Sequence, residues 1–167
     1  METYANIHRG IDPEKYIEQS NANQERYNAE KEAEKSPDYG KRNAARVAKL
    51  IASSDQASIR GELAKEADGV VVRDSGWIRK VSEAIADTPL PRSVHCFCIG
   101  SRTAYFYRNG QFVVSVAGIG GNQLRIQWTG GGGDYLIDTA HYLTVEKALD
   151  YPIEANHSPE PTSGAVH

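Results

Sequence analysis

His95, Cys96 and Cys98 fall within one short stretch, Val94-His95-Cys96-Phe97-Cys98-Ile99. Imidazole and thiolate are the softest ligands and among the readiest nucleophiles that side chains offer. Two chemistries follow. In the first, the period of two along a strand puts Cys96 and Cys98 on one face, where they supply two metal ligands and His141 or His8 a third. Structural zinc sites draw their sulfurs from turns with two to four intervening residues. A single intervening residue argues against a metal, and neither a metal nor another cofactor is expected. In the second chemistry Cys96 is a nucleophile, His141 its base and Asp138 the carboxylate that orients the base. Catalytic thiols occupy electropositive, accessible niches, whereas Cys96 is flanked by Val94, Phe97 and Ile99, the setting of a small buried hydrophobe. An enzyme dependent on cysteine or metal through Cys96, Cys98 and His141 is therefore the alternative reading rather than the leading one.

Other patterns carry less chemistry. Gly118-Ile119-Gly120-Gly121 and Gly130 to Gly133 would let backbone N–H groups converge on an anion, yet neither is followed by the Lys-Ser/Thr pair of a P-loop and both lead into strands. They read as hairpin connections. Lys41, Arg42, Arg46 and Lys49, taken with Tyr105, Tyr107 and Arg108, hold the residue types that grip phosphate and stack on bases. Glu30, Glu32 and Glu34 precede that cluster, so a solvated helix face is the simpler account, and nucleic-acid binding through Lys41 to Lys49 stays a second alternative. The acidic pairs Asp134/Asp138 and Glu62/Glu66 have no motif around them and count as surface charge. Tyr105, Tyr107, Arg125 and Gln127 are the candidate contact residues for a partner, because aromatic and arginine side chains dominate interface energetics. Gln123, Arg125 and Gln127 form the wet stripe of a half-exposed strand.

The elements that must position these residues follow from turn and cap chemistry. Asp12 with Pro13 starts a polar helix to about Lys35 that has no continuous apolar stripe. Ser36 to Gly40 breaks it. Arg42 to Ala52 is a second helix with Val47, Leu50 and Ile51 on one side. Asp55 is read as the N-cap of a third helix to about Ala67, with Ile59 and Leu63 at i and i+4, ended by Asp68-Gly69. Val70 to Val72 is a short strand or an extended linker. Asp74 caps a further helix carrying Trp77, Ile78, Val81 and Ile85 at helical spacing, closed by Thr88-Pro89-Leu90-Pro91.

From about Ser93 to Asp138 the pattern is an antiparallel meander of five strands. These are Val94–Ile99, Thr103–Tyr107, Gln111–Ala117, Gln123–Trp128 and Asp134–Asp138. Asn109-Gly110 is a type I′ hairpin signal, since both positions accept positive φ. Gly130 to Gly133 is a loose turn, and Thr144 caps a short closing helix with Val145, Ala148 and Leu149.

The expected fold class is α+β, with N-terminal helices, then a five-stranded antiparallel β-meander, then a short C-terminal helix. The expected organisation is a polar, partly helical arm over 1–40, a globular domain over 41–153 and a disordered tail over 154–167. The chain has 167 residues, 25% of them charged, and a formal charge of -3, which gives no global field for nucleic acid or anionic lipid. No apolar run approaches the ~18–20 residues that span a bilayer, and residues 1–6 lack the character of a signal peptide. A cytoplasmic location is expected, with both thiols reduced. No stretch carries a family signature. With no catalytic constellation in a supporting context, the expected function is non-catalytic. The protein is read as an inhibitor, an immunity-type antidote or a regulatory adaptor that acts through a protein partner.

Overall fold

The structure, a computed structural model, describes residues 13–61, 69–91, 93–94 and 102–151. The chain divides into two units, residues 1–39 and 40–167. The first holds helix α1 (Pro13–Ala33), which begins at a proline that has no N–H to leave unsatisfied. Local contacts support it, a Gln24–Asn28 side-chain hydrogen bond and a Lys35–Glu32 ion pair at its end.

In the second unit, α2 (Tyr39–Ala52) buries Ala44, Val47, Ala48 and Ile51, the i, i+3, i+4, i+7 stripe of an amphipathic helix. The helix starts three residues earlier than the sequence pattern places it. The hydroxyls of Ser53 and Ser54 donate to the Leu50 carbonyl at its end. The third helix expected from Asp55 does not form. The chain instead enters strand β1 (Gln56–Gly61), which pairs with β2 (Val70–Val72). Asp55 is a cap of another kind. Its carboxylate accepts from the Asn109 N–H at 2.8 Å while its own N–H donates to the Tyr107 carbonyl, clamping β1 to a hairpin more than fifty residues away in sequence. Residues 62–68, the rest of the expected helix, lie outside the described residues.

Helix α3 (Ser75–Ala86) forms as its signals require. Asp74 accepts from the N–H groups of Gly76 and Trp77, and Thr88 closes the helix by donating to the Ala84 carbonyl. The remaining strands are β3 (Ser93–Val94), β4 (Arg102–Arg108), β5 (Gln111–Gly118), β6 (Gln123–Trp128) and β7 (Gly131–Leu136), followed by α4 (Thr139–Leu149). All pair antiparallel in one seven-stranded sheet of order β2-β1-β4-β5-β6-β7-β3. The α+β class with an antiparallel sheet is as expected, with more strands than the five foreseen. The meander runs unbroken from β4 to β7. Of its foreseen first strand, Val94–Ile99, only Val94 is among the described residues; with Ser93 it forms β3, which pairs with β7, Ser93 facing Tyr135, while β4 pairs with β1.

The local turn chemistry is explicit. Asn109 and Gly110 have φ of 52° and 75°, as a type I′ hairpin demands. The run Gly131-Gly132-Gly133 is strand rather than loose turn. A Cβ on Gly131 would lie 2.8 Å from the Trp128 ring, and one on Gly132 2.5 Å from the Ile126 carbonyl oxygen, so neighbouring atoms fill the space a side chain would need. Asp138 does not end a strand. It is the N-cap of α4 in place of Thr144, whose hydroxyl donates to the Ala140 carbonyl from within the helix.

Alternate residues put one face of the sheet into a single core. Ala57, Ile59, Val72, Ala104, Phe106, Val114, Val116, Leu124, Ile126 and Tyr135 meet the apolar sides of α2, α3 and α4 there. Trp77 of α3 stacks on Phe106 at 5.8 Å between ring centroids, with Tyr151 edge-on to the same indole. Among the described residues no helix is long and apolar enough to cross a membrane.

Candidate functional site

The residues opposite to the core face in the β-pleat form the other face of the sheet. Their neighbours are set by register. One cross-strand row reads Val71, Ser58, Tyr105, Ser115, Gln127, Gly132, and the next reads Arg60, Thr103, Ala117, Arg125, Asp134. Beyond Tyr105, Tyr107 faces Phe112 across the β4–β5 hairpin, with ring centroids 6.3 Å apart in an edge-on arrangement. The four contact residues read from the sequence, Tyr105, Tyr107, Arg125 and Gln127, thus project from one face of β4 and β6. Tyr105 and Tyr107 are about 7 Å apart along a strand, and about 10 Å separates β4 from β6.

A bulge shapes this surface. Between Phe106 and Tyr107 the β4–β5 register shifts, so that Phe106 faces Val114 while Tyr107 faces Phe112. The extra residue, Val113, is buried. It lets Phe106 and Val114 enter the core while Tyr107 and Phe112 pair on the opposite face, one residue nearer the turn.

The electrostatics of the face are largely internal. Arg125 and Asp134 form a two-pronged pair, Nε to Oδ1 at 2.7 Å and Nη2 to Oδ2 at 2.9 Å, with Asp134 only 7% exposed. The hydrogen bond to Asp134 raises the Arg125 pKa above its already high ordinary value. A planar guanidinium matched to a carboxylate in this way is rigid and oriented. Arg125 therefore braces the face. Arg60 lies over the Tyr105 ring, 4.7 Å from its centroid, a cation–π contact that fixes the tilt of the ring. Phe112 is 39% exposed and Val71 51%, so apolar area is presented to solvent beside the tyrosines. The core shared with α2, α3 and α4 lies on the opposite face.

The other candidates are dispersed. Asp138 and His141 do come together, Oδ1 accepting from the His141 N–H at 3.0 Å and Oδ2 meeting the ring nitrogen Nδ1. These two contacts, the backbone N–H first and the ring second, hold the Asp138 carboxyl below its ordinary pKa. The arrangement is an N-cap reinforced by a histidine ring, and Asp138 also orients that ring as a base would need. Cys96, Cys98, His95 and His8 lie outside the described residues. Among the described residues no group of three or more His, Cys, Asp or Glu could hold a metal ion. The acids Asp134 and Asp138 serve separate purposes, an ion pair and a helix cap. Lys41, Arg42, Arg46 and Lys49 are exposed on α2, in the helical layer. Tyr105 and Tyr107 lie on the opposite side of the sheet, so the two sets do not make one patch.

Three residues of the face escaped the sequence reading. Phe112 was legible, since a two-residue turn at Asn109-Gly110 sets Arg108 opposite Gln111 and Tyr107 opposite Phe112. Arg60 and Val71 were not, because Arg60 was assigned to a helix and Val71 left without a partner strand. Comparison of the chain with models of known protein families, with characterised proteins and with solved structures finds no match.

Proposed function

We propose that this is a small non-catalytic binding protein of the inhibitor, immunity-type antidote or regulatory-adaptor kind. In this reading it works in the cytoplasm, and its aromatic sheet face receives a polypeptide partner. One observation carries the reading: Tyr105, Tyr107 and Phe112 share the sheet face opposite to the core, with Phe112 39% exposed. Aromatic side chains present large contact area at low entropic cost, and charged groups are depleted at interface centres. Among the described residues the one acid on the strands of this face, Asp134, is neutralised by Arg125, which suits a surface that desolvates on contact. Gln127, exposed on the neighbouring strand, supplies hydrogen-bonding groups beside the rings.

The test is affinity capture from the native host with quantitative mass spectrometry. Wild type is compared with a Tyr105→Ala/Tyr107→Ala double variant, and the captured protein is then reconstituted at known stoichiometry. A partner that binds wild type in fixed ratio, and the double variant at least about a hundredfold more weakly, supports the reading on the scale of interface hot spots. Equal binding of both proteins, or no partner at all, overturns it.

A further inference from the structure

We propose that the cleft between α4 and the end of the sheet at Arg102 and Gly118 binds a primary ammonium or guanidinium group carried on an aliphatic stem, with the Glu146 carboxylate as counter-charge. The cleft has a volume of about 430 Å³ and lies on the helix side of the sheet, so it is independent of the aromatic face. That volume falls in the range of small-ligand sites.

The carboxylate is preset by a relay of hydrogen bonds. The Gly120 N–H donates to the Tyr142 hydroxyl at 3.3 Å, and that hydroxyl donates to Glu146 Oε1 at 2.6 Å. Burial, and then the bond to Glu146, raise the Tyr142 pKa, so the phenol remains a donor throughout the neutral range. Gly118 leaves the carboxylate its place, since a Cβ there would stand 2.9 Å from Glu146 Oε1 and 3.1 Å from the Tyr142 oxygen.

The charges around it do not cancel Glu146. Arg102 donates to Asp150 at 2.8 Å, which offsets the two of them. Lys147 also lines the cleft, but as the next residue on the helix it is turned by about 100° from Glu146. Among the described residues no cation pairs with Glu146. At the same end the Lys147 carbonyl accepts from the Lys80 ammonium at 3.3 Å and the Glu146 carbonyl from the Asp150 N–H, which leaves the Glu146 carboxylate as the anionic group open to a ligand. Leu143, 57% exposed, and Leu149 line the cleft with apolar surface for a stem. An N–H donor bearing positive charge is the complement of this arrangement, and such charge-assisted bonds are roughly twice as strong as neutral ones.

The same chemistry comes either from a lysine or arginine of a partner or from a free small amine. The full chain is titrated, with amide NMR shifts as readout at low ionic strength. The probes are Nα-acetyl-lysine methylamide and butylamine, with Nα-acetyl-norleucine methylamide and butanol as neutral controls. Saturable shifts around Gly118, Gly120 and the second half of α4 are expected for the cations, with the neutral analogues at least about tenfold weaker. Glu146→Gln keeps an oxygen for Tyr142 to donate to, and weakens the cations about tenfold. Gly118→Ala, which keeps the charge but displaces the carboxylate, weakens them as well. Asp87→Asn removes an equal charge outside the cleft and leaves binding intact. Tighter binding of the blocked lysine assigns the site to a partner's side chain, and tighter binding of butylamine assigns it to a free amine. Neutral probes that bind as well as the cations, undiminished binding by Glu146→Gln, or no saturable shift with any probe overturns the proposal.

Discussion

The two faces of the sheet are made from alternate residues of the same strands, yet they are stabilised in different ways. On the helix side Phe106, Val114, Val116 and Ile126 are excluded from water and held by packing against α3 and α4. On the other side Tyr105, Tyr107, Phe112 and Arg125 are ordered by pairwise contacts, an edge-on ring pair, a guanidinium over a ring and a bidentate ion pair. Packing is collective, so removing one member leaves a void that many neighbours share. Pairwise contacts are individually removable. A surface of the second kind is specific in shape, and each of its contacts can be tested singly.

Breaking the packed face has the largest effect. Phe106→Ala removes the ring beneath Trp77 and lowers unfolding free energy by about 3–5 kcal/mol, measured by urea denaturation. A loss under about 1 kcal/mol would show that the core repacks around the gap and that the two faces do not differ as described. Arg125→Ala is the sharpest probe of the other face. It leaves Asp134 buried without its bidentate partner and costs about 3 kcal/mol, with Arg125→Lys recovering only part because a single ammonium nitrogen cannot reproduce the two parallel N–H bonds of the planar fork.

The smallest effect lies at the seam between sheet and helix. The folded-state pKa of Tyr142 is raised. Its contribution is therefore fully present below the unfolded phenol value of ~10 and is lost as pH climbs through the folded value. Thermal melts of wild type decline in that alkaline window, and Tyr142→Phe flattens the decline while costing about 1 kcal/mol at neutral pH.

Where the sequence reading succeeded, a local signal and its consequence lay within a few residues of each other. Asn109-Gly110 determines the hairpin, Asp74 starts α3, and the alternation Leu124, Ile126, Trp128 orients β6. It failed where a signal was answered from far away. Asp55 has the chemistry of a cap, but the N–H it satisfies belongs to Asn109, and only the β1–β4 pairing brings that group near. Ile59 fits a helical stripe and a strand equally well. Ala57 and Ile59 alternating with Ser58 and Arg60 mark a strand once one face is known to be buried. The glycines from Gly131 to Gly133 look like a turn until Trp128 is placed over them. Of the candidate site, the tyrosines were legible from alternation, whereas the Arg125–Asp134 pairing depends on a register set by the β6–β7 hairpin.

The bulge between Phe106 and Tyr107 sits inside one of the two hairpins of the sheet that are joined by only two residues. Hairpins joined by two residues form in roughly 1–10 μs, whereas pairing of β1 with β4 must first close a loop of about forty residues, from Gly61 to Arg102. The Tyr107–Phe112 pair is complete within that hairpin alone. The aromatic end of the face is therefore assembled early in folding, ahead of β1 and the Arg60 that it brings over Tyr105. A refolding experiment resolved by residue would place Tyr107 and Phe112 in the nucleus and β1 among the last elements to dock.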